Sequence, residues 1–166
     1  MAAVREPMTP TDEATIATQL GRTPRGVAAV AWRCADGHPG VVVTEPRLPD
    51  GSPFPTTYYL TCPALTSATS TLEASGLMAE MTSRLAADAG LAAAYRRAHE
   101  AYLADRAQLG TVPEIEGVSA GGMPTRVKCL HVLLAHALAA GPGVNPLGDE
   151  VVALLQADQP CLARRG

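Results

Sequence analysis

The stretch VAAVAWRCADGHPGVVVT, residues 27–44, decides the fold class. Two runs of β-branched and small apolar residues, Val27 to Arg33 and Gly40 to Thr44, flank Cys34-Ala35-Asp36-Gly37-His38-Pro39, and they predict a β-hairpin with a long loop. Downstream, the turn Leu48-Pro49-Asp50-Gly51 leads through Pro53-Phe54-Pro55, read as a rigid strand entry, to a third strand over Thr56 to Thr61. A three-stranded meander is the simplest way to join them. Upstream, Thr9-Pro10 with Asp12 starts a helix that Gly21 stops. Beyond Cys62-Pro63, the glycines at 76, 90 and 110 each close an Ala-rich segment of helical length. In the last of these segments Leu91, Tyr95, Ala98, Tyr102 and Leu109 share one stripe, and Arg96, Arg97 and Glu100 fall outside it. Pro124 to Ala140 is apolar nearly all round and predicts a helix at the centre of the fold, with Asp149 capping a short final helix to Leu155. The class is α+β: a small antiparallel sheet of about three strands packed by a layer of four to six helices. One domain over 1–166 is expected, with loosely held ends over 1–8 and 159–166.

Hydrophobic residues make up 47% of the 166 and aromatic residues 4%, so the core has to be aliphatic. A net charge of −3 without a block of like charges supplies no field for nucleic acid. No apolar run is long enough to cross a membrane, and the first twenty residues contain no signal-like apolar core. The expected setting is the cytoplasm, where thiols stay reduced.

That setting turns attention to Cys34, Cys62, Cys129 and Cys161, none of which forms a C-x-x-C pair. Cys62 precedes Pro63 at a helix start, where the helix dipole favours thiolate, so it is the best single nucleophile if the protein is an enzyme. Cys34 and Cys62 end strands one and three of the meander. They are expected roughly 10 Å apart, too far to share one ion though not one cluster plus its surroundings. Inside a helix Cys129 and His131 point about 200° apart, with His136 on the side of Cys129; if the helix starts only at His131, Cys129 and His131 converge instead. The leading expectation is a thiolate site of Cys62, Cys129 and Cys161, with Cys34 or His131 as a further ligand, holding an iron–sulfur cluster or zinc. Against it stands a bland reading with no cofactor, in which each Cys is a small core hydrophobe.

Gly117 to Gly122 has the glycine spacing of a phosphate loop, but Met123-Pro124 stands where Lys and Ser/Thr belong. What remains is an expected helix N-terminus at Gly121, Gly122, Thr125, Arg126 and Lys128, a candidate site for a small anion or a nucleotide phosphate. A third reading is a non-catalytic module whose Ala-rich helices pack on a protein partner or a second copy.

Five strings complete the reading: RC at 33–34, PFPTTYYLTCP at 53–63, LEASG at 72–76, RVKCLH at 126–131 and NPLGD at 145–149. In order and wording they resemble the bacterial family filed as domain of unknown function 501, over about residues 20–161. The resemblance implies a small cytoplasmic bacterial protein, often encoded near an exopolyphosphatase and a septum-formation initiator. It implies cysteines matching Cys34, Cys62, Cys129 and Cys161 and a histidine matching His131, and it brings no reaction with it.

Overall fold

The hairpin forms where its β-branched runs lie. In the computed structural model, which describes residues 5–163, β1 (Val27–Arg33) pairs antiparallel with β2 (Pro39–Thr44), placing Val27 opposite Thr44 and Arg33 opposite Pro39. β2 pairs in turn with β3 (Tyr58–Leu60), giving the order β1-β2-β3 of a meander. β3 is shorter than its expected span of Thr56 to Thr61, and at its start Thr57 and Tyr58 donate their N–H groups to Tyr102 Oη, at 2.8 and 3.3 Å.

Every residue of β2 is buried, so both faces of the sheet are covered. Val41 and Val43 join the main core beneath the helices, whereas Val42 alternates to the other face, where α1 (Pro10–Leu20) packs and buries Ile16. The outer edge of β1 is covered as well: Glu6 and Val30 exchange backbone hydrogen bonds of 2.8 Å. Arg33 fastens this layer, reaching Glu6 through Nε at 2.8 Å and both oxygens of Asp12 at 2.8 and 3.0 Å. Asp12 also closes a capping box with Thr9.

The Arg33 guanidinium holds the Asp12 carboxyl well below the usual carboxylate range, burial opposing it and the Thr9 bonds assisting. A carboxyl depressed on folding contributes stability that is present above its unfolded pKa of 3.8 and is lost as pH falls below that toward the folded value. Asp12→Asn is therefore expected to flatten the decline of stability below about pH 4, read from urea melts between pH 5 and 2. An unchanged acid limb would count against the pair.

The helical layer comprises α2 (Pro63–Glu73), α3 (Leu77–Ala87), α4 (Ala89–Ala107), α5 (Leu130–Ala140) and α6 (Pro146–Gln156), with 3-10 turns at Pro113–Ile115 and Pro160–Leu162. Three expected boundaries move. Gly90 does not close a helix; it lies in the first turn of α4, because the Asp88 carboxylate accepts the Leu91 N–H at 3.0 Å and starts the helix there. The final helix starts at Pro146 and not at Asp149, because Asn145 accepts the Gly148 N–H at 2.9 Å, while Asp149 holds the Gly143 N–H. The central helix starts at Leu130, not Pro124. Gly121 and Gly122, at φ +70° and +94°, turn the chain so that Lys128 and Arg126 donate back to their carbonyls at 2.7 and 3.1 Å, a compact turn that defers the helix.

α5 is central as expected, packing on β3, α2 and α6. Its His136 is fully buried, stacked on Tyr58 at 5.7 Å and edge-on to Tyr102 at 5.0 Å, with Nδ1 3.2 Å from the Asn145 amide and Nε2 without a hydrogen-bond partner among the described residues. Burial pushes its pKa down to about 4. A buried neutral His costs stability wherever the unfolded chain takes up a proton and the folded one does not. Stability is thus expected to fall as pH drops from 6.5 to about 4. Melts of wild type and His136→Phe across that window check this: a slope that persists in the variant belongs to other groups.

The ends described at 5–8 and 159–163 are tied down by Glu6 on β1 and by the 3-10 turn carrying Cys161; the rest of the expected loose ends, 1–4 and 164–166, lies outside the described residues.

Candidate metal centre

Three segments distant in sequence deliver sulfur to one point. Cys34 opens the hairpin loop, whose turn is closed by the Gly37 N–H on the Cys34 carbonyl at 2.9 Å. Cys62 is the N-cap of α2, held at the start of β2 because Thr61 and Cys62 both donate to the Gly40 carbonyl, at 2.9 and 3.3 Å. Cys161 rides on the last 3-10 turn, docked on the hairpin loop by the Ala35 N–H to the Cys161 carbonyl at 3.0 Å. The three Sγ atoms lie within 4.8 Å of one another.

The expected gap of roughly 10 Å between Cys34 and Cys62 is therefore corrected. Two strand spacings separate the backbones, but the residue between them is Gly40. A Cβ built there would sit 3.2 Å from Cys34 Sγ and 2.5 Å from the Trp32 ring, so only a bare Cα lets the sulfurs meet over the middle strand. Glycine at 40 was the sign in the sequence that the simple spacing did not weigh.

Cys34 and Cys62 are each 4% exposed. Cys161 is half-buried, and with Cys34 it lines a cleft of about 350 Å³ walled by Trp32, Arg33 and Leu162. Cys62 is pushed down to about 6, first by the hydrogen bond from the Cys34 thiol, against burial, and then by the Leu65 and Ala64 N–H groups in the first turn of α2 and by Cys161. Cys34 is driven far above the ordinary thiol range by its bond to Cys62 and by burial. Cys161 rises to about 11 through burial and the neighbouring Cys62 charge. Of the three sulfurs, Cys62 is the one whose surroundings most favour thiolate, and all three lie close together. Cys34, Cys62 and Cys161 could hold a metal ion.

Cys129 and His131 do not join this cluster. The late start of α5 settles how they relate. Cys129, extended at φ −152° and ψ 112°, is the helix N-cap, and its Sγ comes within 4.0 Å of His131 Nδ1. Convergence, the branch that required a late helix, is what forms. A third group enters from α2: Glu73 Oε1 is 3.2 Å from His131 Nδ1, and its Oε2 accepts the Leu130 N–H at 2.8 Å. The ligand atoms of Glu73, Cys129 and His131 lie within 4.8 Å of one another. Glu73 is a site residue that the sequence reading missed, since its contact with Leu130 spans 57 residues and nothing local announces it. His131 is raised to about 9 by its bond with Cys129, against burial, with the Glu73 charge assisting.

In the segment expected to bind an anion, several backbone donors are engaged within the protein. The N–H groups of Arg126 and Lys128 go to Gly122 and Gly121, that of Val127 goes to Thr82 Oγ1 at 3.0 Å, and the first N–H of α5 goes to Glu73. Thr125, Arg126 and Lys128 are exposed on the turn before α5 and not on a helix N-terminus. Among the described residues, no helix is long and apolar enough to cross a membrane.

No curated protein and no solved structure matches the chain. A family model does, over residues 30–153, that is 124 of the 166 residues, covering Cys34, Cys62, Glu73, Cys129 and His131 and ending before Cys161. The family carries the description "Protein of unknown function (DUF501)", and the extent of the match shows that this chain belongs to it.

Proposed function

We propose that the chain is a metal-binding protein in which Cys34, Cys62 and Cys161 hold one zinc ion and leave a fourth coordination position to the neighbouring cleft. The observation that carries the reading is the mutual approach of the three sulfurs to within 4.8 Å. Zinc–sulfur bonds of about 2.3 Å put tetrahedral corners about 3.8 Å apart, whereas in a [4Fe–4S] cluster each cysteine binds a different iron and in a [2Fe–2S] cluster at most two share one, so the cluster's own width spreads three sulfurs further. The compact triangle favours the single ion. A divalent cation also offsets the repulsion that raises Cys34 and Cys161 beside Cys62. The fourth position opens on a cleft of about 350 Å³, so a water molecule or a small exogenous ligand completes the shell. The reading implies a reducing compartment, the cytoplasm of a bacterium, because an oxidising one would pair two of these thiols.

Elemental analysis of anaerobically purified protein tests it. Wild type is expected to carry one more zinc per chain than Cys161→Ser, a variant whose change sits at a half-buried position on the last turn. Equal zinc in the two proteins would overturn the proposal. Brown protein containing iron and inorganic sulfide would keep the thiolate centre and replace the ion by a cluster.

A further inference from the structure

The second convergence of ligand atoms, at the other end of α2, has the arrangement of a metal site with an open face. We propose that Glu73, Cys129 and His131 bind a second zinc ion, independent of the thiolate centre, whose free coordination position faces an apolar pocket.

The distances suit one ion. Bonds of about 2.0–2.3 Å to oxygen, nitrogen and sulfur in a tetrahedron separate the ligand atoms by about 3.3–3.6 Å. Here Glu73 Oε1 and Cys129 Sγ stand 3.2 and 4.0 Å from His131 Nδ1, and the three atoms lie within 4.8 Å of one another. The support behind the ligands is in place too. A metal-bound histidine uses its other ring nitrogen to donate to a backbone carbonyl, and a metal-bound carboxylate is itself hydrogen-bonded. His131 Nε2 lies 3.1 Å from the Thr66 carbonyl and 3.3 Å from Ser70 Oγ, while Glu73 Oε2 takes the Leu130 N–H at 2.8 Å. Each of these two ligands has one donor atom anchored to protein and one left over, and the leftover atoms converge with Cys129 Sγ. On zinc entry the Nδ1 and Sγ protons leave to solvent.

The open face is defined by what lies beside it. Cys129 and His131 line a cavity of about 380 Å³, with Tyr58, Tyr59, Leu60 and Val132 as largely apolar walls and Thr56 and Thr66 as hydroxyl groups. Three protein ligands with a vacant fourth position is the pattern of a zinc ion that engages water or substrate. The ligand class that fits has an apolar body and one oxygen donor for the metal, such as a carboxylate or a carbonyl.

The test follows Cys129 alone. Full-length reduced protein, stripped of metal by chelation, is titrated with Zn2+ and pulsed with iodoacetamide, and alkylation of each cysteine is read by mass spectrometry. Zn2+ is expected to protect Cys129 in wild type and equally in Cys161→Ser, where the thiolate centre is broken. In Glu73→Gln the amide oxygen can still accept the Leu130 N–H, but the anionic ligand is gone, and protection is expected to need at least about tenfold more Zn2+. Alkylation of Cys129 at the same rate with and without Zn2+ overturns the proposal, as does an unmoved midpoint in folded Glu73→Gln. If Glu73→Gln does not fold, the wild-type protection curve decides alone. Protection of Cys129 without protection of Cys34 and Cys62 would retain this site and remove the thiolate centre.

Discussion

Gly148→Ala is expected to destabilise the protein by about 4 kcal/mol or more and to lose metal at the Cys34, Cys62 and Cys161 centre with it. Gly148 lies in the first turn of α6, where the helix crosses α5, and a Cβ there would collide with the Leu133 carbonyl oxygen and sit 2.8 Å from Ala137 Cβ. Neither obstacle can swing aside. Leu133 and Ala137 belong to the backbone and the shortest side chain of a buried helix, so α5 and α6 have to separate. Leu147 and Val151, both fully buried on the same helix, would then lose their packing. Separation also reaches the ligands, because α6 leads directly into the 3-10 turn that carries Cys161. Urea melts with zinc analysis of whatever folded protein remains would check this. Gly51→Ala is the control: Gly51 has φ +88° but open space around it, so it reports conformational strain without collision. If Gly148→Ala costs no more than Gly51→Ala, the close approach of α5 and α6 is not what holds the fold.

The elements that could be read from sequence are those whose cause is local. Val27 to Thr44 specifies a hairpin because β-branched runs and a turn-forming segment act within their own stretch, and Thr9, Pro10 and Asp12 specify the start of α1 for the same reason. The tyrosine stripe of α4 was legible because helical period alone puts Tyr95, Ala98 and Tyr102 on one face. Boundaries failed where two local signals compete: Asp88 against Gly90, Asn145 against Asp149, and the Gly121-Gly122 turn against the apolar run that follows it. In each case a hydrogen bond chose between signals of similar strength.

The candidate sites were legible as residue types and not as sets. Cys62, Cys161 and Cys34 were all named, yet separating them from Cys129 required a distance that only tertiary structure supplies. α2 resolves the mixture. Cys62 caps its first turn and Glu73 ends it, so an 11-residue helix, about 16 Å long, holds the two clusters at opposite ends. Four cysteines spread over 128 positions cannot be sorted into three plus one by spacing, because the sorting depends on which end of α2 each segment reaches.

Gly40→Ala is the second change expected to have a large effect, and it acts on the thiolate centre without removing a sulfur. The added Cβ meets the Trp32 ring at 2.5 Å and Cys34 Sγ at 3.2 Å. Trp32 is half-buried and borders a cleft, so its ring has room to rotate outward, and the stability cost should stay at about 1–3 kcal/mol, the range for overpacking. The sulfur has less freedom. Cys34 is 4% exposed and its N–H is fixed to the His38 carbonyl at 2.9 Å, so the strain goes into the triangle of sulfurs. Displacing a ligand by a few tenths of an ångström resembles the loss of an outer support, for which metal affinity falls about 10–100-fold. Because Trp32 is the single tryptophan of the chain, its emission reports both events: a shift when the ring moves toward solvent, and a response to Zn2+ whose midpoint gives the affinity. Gly40→Ala should therefore show shifted emission and a weakened zinc midpoint, while zinc protection of Cys129, at the far end of α2, stays at its wild-type value. If the emission shifts and the midpoint does not, the sulfurs tolerate a side chain over the middle strand, and the bare Cα at Gly40 is not what brings Cys34 and Cys62 together.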